Sequence, residues 1–397
     1  MTCKNCTTLA TEIQALRNQL QEQSQQLTSL QQNNTVLTES CLKSKSHIVE
    51  LLNENNDLKN TLNHYKHLLG LPESGEQAET EDNVNHEDDS PDASSLLPSN
   101  ETMHWATSGL GEIQALELDP CNPHKFCLGG AGGIVEIYDA NHLESTSPVS
   151  QIKDENPITT LSFARDSKHL FIGGRKLSLY DTTNSKLISR YFAHQGKVTG
   201  MSCSSDDNSL LTGALDRKLI LWSVEKSVPL TTINTSSSLN DVDLSRNDDT
   251  ALCGQLNGTF GLWDLRSKSL ISSPTKLHSS RIASVKFIDQ SIVASLSRDS
   301  SLIVFDIRNQ QVVKRFEHPL LKVTNDSSCF SLKNSFIAVG STDGRVLVFD
   351  LNSDDLSPCG VFQSSHSDYN LSCQFISSSL VVSCSKHGHV SVFGRDL

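Results

Sequence analysis

No stretch of this 397-residue chain is apolar for long enough to cross a bilayer, and its start lacks the charged, apolar and small-residue order of a secretory signal. These absences predict a protein made and kept in the cytosol. Basic residues are also in short supply. Lys and Arg number 33 against 46 Asp and Glu, a net charge of −13, so long-range attraction to nucleic acid is not expected. The eleven cysteines follow no framework spacing; in contexts such as KFCLGG and LSCQF they read as small buried hydrophobes of a reducing compartment. The glycine pairs Gly129-Gly130 and Gly132-Gly133 match no phosphate loop and are assigned to a turn between strands, so no cofactor is implied.

Two local absences divide the chain. Neither Gly nor Pro occurs from Leu9 to Leu69, and no Lys or Arg occurs between Glu73 and Asp92, where nine acidic residues fall. In the first stretch apolar residues alternate at spacings of four and three through nine heptads in one frame. So thin an apolar seam needs a second helix to bury it, so residues 1–70 are expected to form a coiled coil about 90 Å long at 1.5 Å per residue. Asn34 and Asn55 both fall at the first core position. Each can hydrogen-bond to its symmetry mate across a two-stranded seam, which favours a parallel homodimer over a trimer or a coil formed only with a partner. Residues 71–102 carry dense like charge and almost no aliphatic content, and are expected to be a self-repelling acidic linker.

From Tyr138 to Phe393 the chain writes seven apolar strands closing on an aromatic: Tyr138, Tyr180, Trp222, Trp263, Phe305, Phe349 and Phe393. The gaps are 42, 42, 41, 42, 44 and 44 residues. A period in the low forties, with a turn residue before each strand, is that of a four-stranded propeller blade of the WD-repeat kind. The expected fold is therefore an all-β seven-bladed WD-repeat propeller over 103–397, preceded by the α-helical coiled coil and the disordered linker. The last repeat stops at its third strand, VSVFGRD, so MHWAT with Trp105 is expected to supply the missing outermost strand and leave no sheet edge open across the ring.

Several constellations resemble chemistry. His194, Thr212, Asp216 and Trp222 have the spacing of a hydrogen-bond tetrad that ties one blade together. A His, a hydroxyl and an Asp also suggest nucleophilic catalysis, but the tetrad consumes those groups and nothing places an oxyanion hole beside them, so no catalytic residue is assigned. Blade five keeps His278, Ser295 and Asp299 but ends on Phe305, which has no N–H; Asn257 and Asp343 hold the equivalent turn in blades four and six. GGRKLSLY in blade two has lost that turn residue, which predicts a less tightly stapled blade. Cys3 and Cys6 form one CxxC, and His387 and His389 flank a turn; neither is enough to assign a metal.

Blades four and five end in WDLR and FDIR, placing Asp264, Arg266, Asp306 and Arg308 on one rim as a candidate partner-binding site. The pair resembles the double box of propellers that serve as substrate receptors of cullin ubiquitin ligases. Asp-x-Arg ends also arise where Asp simply caps the turn.

The whole chain is more specific than any motif. HQGKVTGMSCSSDDNSLLTGALDRKLILW (194–222), SSSLNDVDLS (236–245), GQLNGTFGLWDLRSKSLI (254–271) and RIASVKFIDQSIVASLSRDSSLIVFDIR (281–308), behind a coil and an acidic linker, resemble the animal-type autophagy-related protein sixteen family. The short fourth-blade opening Leu239-Asn240-Asp241-Val242 is the most distinctive part. The resemblance implies a non-catalytic dimeric scaffold that holds ubiquitin-like conjugation machinery, directs lipidation of a ubiquitin-like protein at the forming autophagosome, and uses the propeller as a platform for partners or cargo. Membrane association is expected to be indirect, through partners. Two departures stand out: the heptads begin at Leu9 with no Trp before Trp105, and the fourth-blade turn is Asn257-Gly258-Thr259 where animal members carry lysine. The alternative is the cullin-ligase substrate receptor.

Overall fold

The structure is a computed structural model that describes residues 100–394, apart from 108, 272–274, 366–368 and 378. The coiled-coil and linker expectations, with Asn34, Asn55, Cys3 and Cys6, lie outside the described residues. The described part is a seven-bladed all-β propeller of seven antiparallel sheets.

Each blade orders its strands from the axis outward. In blade three these are Val198–Cys203, Ser209–Ala214, Lys218–Ser223 and Val228–Asn234. The middle strands read as continuous apolar runs because a neighbouring blade covers each of their faces: Ser301–Asp306 of blade five is buried from Ser301 through Phe305. The outer strands see water and alternate. Val228–Asn234 buries only Thr231 and Ile233, which leaves Val228 and Leu230 about half exposed. Blade four differs in having its outer strand split into Ser269–Leu270 and Thr275–Lys276, both paired with Thr259–Asp264.

Closure follows the expected path. Asn100–Ala106 pairs with His389–Gly394, setting Trp105 opposite Val390, so the first and last described strands share the seventh sheet. The strand begins at Asn100, three residues ahead of Met103, with a register shift between Glu101 and Met103 and the Thr102 hydroxyl donating to Val392 O at 3.0 Å.

The aromatic that closes each third strand has a second use. An aromatic on the outer strand packs against the closing aromatic of the next blade: Tyr191 on Trp222 at 5.4 Å, Phe316 on Phe349 at 5.0 Å, Phe362 on Phe393 at 5.7 Å and Trp105 on Tyr138 at 5.5 Å. Each such pair contributes about 0.5–1.5 kcal/mol beyond its buried area. Between the second and third strands a residue with positive φ recurs: Gly133, Arg217, Gly258, Ser300, Gly344 and Gly388. At Gly258 a Cβ would stand 2.6 Å from the carbonyl oxygens of both His278 and Ser280, so this turn requires glycine.

Candidate functional site: blade tetrads, rim and axial channel

In blade three the four tetrad residues meet. Trp222 Nε1 donates to Thr212 Oγ1 at 2.8 Å, and Thr212 Oγ1 lies 2.8 Å from His194 Nε2. His194 Nδ1 lies 3.1 Å from Asp216 Oδ2, and that oxygen also accepts the Gln195 amide at 2.8 Å. Burial pushes the imidazole below its ordinary pKa despite the facing Asp216, which favours the neutral ring. A neutral ring donates through Nδ1 to the carboxylate and accepts the Thr212 proton at Nε2. Burial alone would raise Asp216, but the Gln195 amide and His194 outweigh it and hold the carboxyl low. Every polar group of the set is engaged within the blade.

Blade five repeats the arrangement without its indole. His278 Nε2 is 2.8 Å from Ser295 Oγ, and Nδ1 is 2.9 Å from Ser301 Oγ and 3.3 Å from Asp299 Oδ1. In blade four Asn257 Oδ1 accepts the Thr259 amide and hydroxyl at 3.1 and 2.7 Å, and in blade six Asp343 pairs with Arg345 at 3.1 Å. Blade two lacks the turn residue but keeps a side-chain tie. Its Tyr180 hydroxyl donates to the buried Asp154 carboxylate at 3.0 Å, and Asp154, whose amide bonds Gly133 O as that of His278 bonds Gly258 O, stands where the histidine stands in blade five. Burial and that carboxylate push Tyr180 up to about 12.

At the rim, Asp264 Oδ1 accepts the amides of Arg266 and Ser267 at 2.8 and 3.0 Å, and Asp306 Oδ1 accepts those of Arg308 and Asn309 at 2.8 and 3.3 Å. Asp139, Asp181 and Asp350 close the same turn in blades one, two and six. The aspartate is therefore a general turn cap, whereas the arginine is particular to blades four and five. Both Arg266 and Arg308 are exposed.

The axial channel was not singled out from the sequence. Inner strands of six blades, and the segment ahead of the inner strand of blade six, line a cavity of about 230 Å³ that receives Glu117, Asp241, Asp243 and Lys286. Asp241 Oδ2 accepts the Ser284 hydroxyl at 2.7 Å and the Val285 amide at 3.0 Å. Asp243 accepts the Ser202 hydroxyl at 3.0 Å and the Phe287 amide at 2.8 Å. These two carboxylates thus stitch blade four to both neighbours by pairing edge groups that no strand covers. Burial, opposed by Lys286 and aided by the two aspartates, pushes Glu117 up to about 7, and burial raises Asp241 to about 6. The signal was present as charges at alternate positions of IQALELD, LNDVDLS and IASVKFI, but period-two alternation does not say which face meets an axis.

Among the described residues no group of three or more His, Cys, Asp or Glu is arranged to hold a metal, and no helix is long and apolar enough to cross a membrane. The eight cysteines in this region are all unbridged.

Comparison with known proteins agrees with this architecture. The family described as WD domain, G-beta repeat matches residues 185–223, most of blade three. Autophagy-related protein 16 of Arabidopsis thaliana is 25% identical over 89% of this chain, and protein tipD of Dictyostelium discoideum 22% over 85%. The E3 ubiquitin-protein ligase COP1 of Arabidopsis thaliana is 20% identical over 60%. The chain spans 70%, 58% and 36% of those three proteins. WD-repeat propellers are characteristically non-catalytic interaction scaffolds, and this chain is a WD-propeller protein distantly related to autophagy-related protein 16 and other WD-repeat proteins.

Proposed function

We propose that this chain is a non-catalytic adaptor that brings propeller-bound proteins to a ubiquitin-type conjugation assembly, with Arg266 and Arg308 as its docking pair for a cullin-ligase adaptor. The observation that carries this reading is the pair of exposed arginines on identical aspartate-capped turns of adjacent blades. A guanidinium presented from a fixed backbone suits bidentate contact with carboxylate or carbonyl groups. The similarity to a protein named as an E3 ubiquitin ligase supports it. The test is binding of the purified chain to a cullin adaptor subunit. Arg266→Ala with Arg308→Ala should abolish binding while the melting temperature holds; undiminished binding would remove the rim from the account.

A second reading is favoured by one observation. The likeness to autophagy-related protein 16 runs through 89% of the chain, more than the described propeller alone occupies. On this reading residues 1–70 form a parallel homodimeric coil registered by Asn34 and Asn55, 71–102 tether it, and the assembly directs lipidation of a ubiquitin-like protein. The protein is then cytoplasmic and recruited to autophagosome precursor membranes through its partners. Removing residues 1–70 separates the two readings: it should leave rim-mediated binding intact and abolish association with autophagy conjugation components.

A further inference from the structure

We infer that the axial cavity is a binding site for a small zwitterion of the amino-acid class, its ammonium group received by Glu117 and its carboxylate by Lys286. The argument starts from which charges are already used. Asp241 and Asp243 are committed to the Ser284 and Ser202 hydroxyls and to the amides of Val285 and Phe287. Glu117, on the inner strand Ile113–Leu118 of blade one, and Lys286, on the inner strand Ile282–Phe287 of blade five, are not. They sense each other electrostatically across the cavity, yet neither has a hydrogen-bond or ion-pair partner among the described residues. Blades one and five are not neighbours in the ring. The two charges therefore face the cavity from non-adjacent blades.

A second observation is independent of charge. Ser328 lines the same cavity, is 1% exposed, and its hydroxyl has no hydrogen-bond partner among the described residues. Glu117 and Lys286 are half-buried; a buried hydroxyl and half-buried charges without partners each cost stability, and a ligand that pairs all three groups recovers that cost. Size agrees. A volume of about 230 Å³ corresponds to roughly seven or eight waters at about 30 Å³ each, enough for an amino acid with a short carbon chain. The remaining lining charges lie beyond the strand ends: Arg165 is exposed, and Asp326 is paired with Arg281 and Arg298. A ligand with a charge of one sign would satisfy one wall and be repelled by the other; a zwitterion meets both.

The experiment is calorimetric titration of the full chain with glycine and γ-aminobutyrate, with 1,4-diaminobutane and butyrate as single-sign controls. One zwitterion should bind saturably, at least tenfold more tightly than either control. Glu117→Gln and Lys286→Met should each weaken that binding at least tenfold, while Lys226→Ala, exposed and outside the cavity lining, should leave it unchanged; melting curves establish that each variant is folded. Absence of saturable binding by both zwitterions, binding of the diamine or butyrate as tight as theirs, or unchanged affinity in folded Glu117→Gln would each overturn the assignment.

Discussion

Trp105, near the start of the described chain, pairs across a sheet with Val390, near its end, and its ring lies 5.5 Å from that of Tyr138 in the following blade. One strand therefore completes the seventh sheet and also packs the seventh blade on the first. Without it Val390 and its neighbours would present an open edge. A chain beginning at Asn100 should melt cooperatively by circular dichroism, and one beginning at Thr107 should lose that transition or aggregate. Equal melting of the two would contradict the clasp.

The tetrad of blade three predicts a graded series. Thr212→Val removes a hydroxyl that accepts from Trp222 and faces His194, leaving two buried ring nitrogens unpaired. The expected loss is about 2–6 kcal/mol, the sum of two such orphaned groups, read by chemical denaturation. Thr212→Ser should lose much less, because it keeps the oxygen. If the two variants were equally stable, the hydrogen-bond chain would not be what holds the blade.

Much of the ring was legible because one aromatic closes every third strand and is then used between blades, so Trp222 and Phe349 signal both a period and a contact. Closure by MHWAT was legible because the last repeat was one strand short. The tie of blade two was not, since it places an aspartate where blades three and five have histidine and a tyrosine hydroxyl where the indole would donate. Nor were the channel charges. Lys286 and Glu117 lie far apart in sequence and come together only when a ring of seven is closed around them.

Channel titration gives stability a definite slope with pH. Glu117 is raised from 4.5 to about 7 and Asp241 from 3.8 to about 6, so the folded chain binds more protons than the unfolded chain between those values. The contribution of these two groups to stability then falls as pH rises through that window. The depressed His194 acts in the opposite direction, so the test is a difference: in thermal melts from pH 5 to pH 8 the native chain should lose stability relative to Glu117→Gln as pH rises. An identical slope in the variant would mean that Glu117 ionises as it does in the unfolded chain.

Surface charge at the rim should matter for binding and not for folding. Arg266 and Arg308 are exposed, and their backbone amides, not their side chains, complete the turns. Replacing both with Ala should change stability by less than about 0.5 kcal/mol, the usual range for surface positions. Asp264→Ala, which removes the cap shared by two amides, should lower the melting temperature more than the double-arginine change does.

The measurement closest to the central claim is affinity capture of the tagged full chain from its own cells, beside the Arg266→Ala/Arg308→Ala form and a form lacking residues 1–70, followed by identification of the bound proteins. The account predicts ubiquitin-type conjugation components on the full chain. Cullin adaptors should be lost on the double-arginine form, or autophagy conjugation components on the form without residues 1–70. Recovery of neither class on the full chain would contradict an adaptor of ubiquitin-type conjugation.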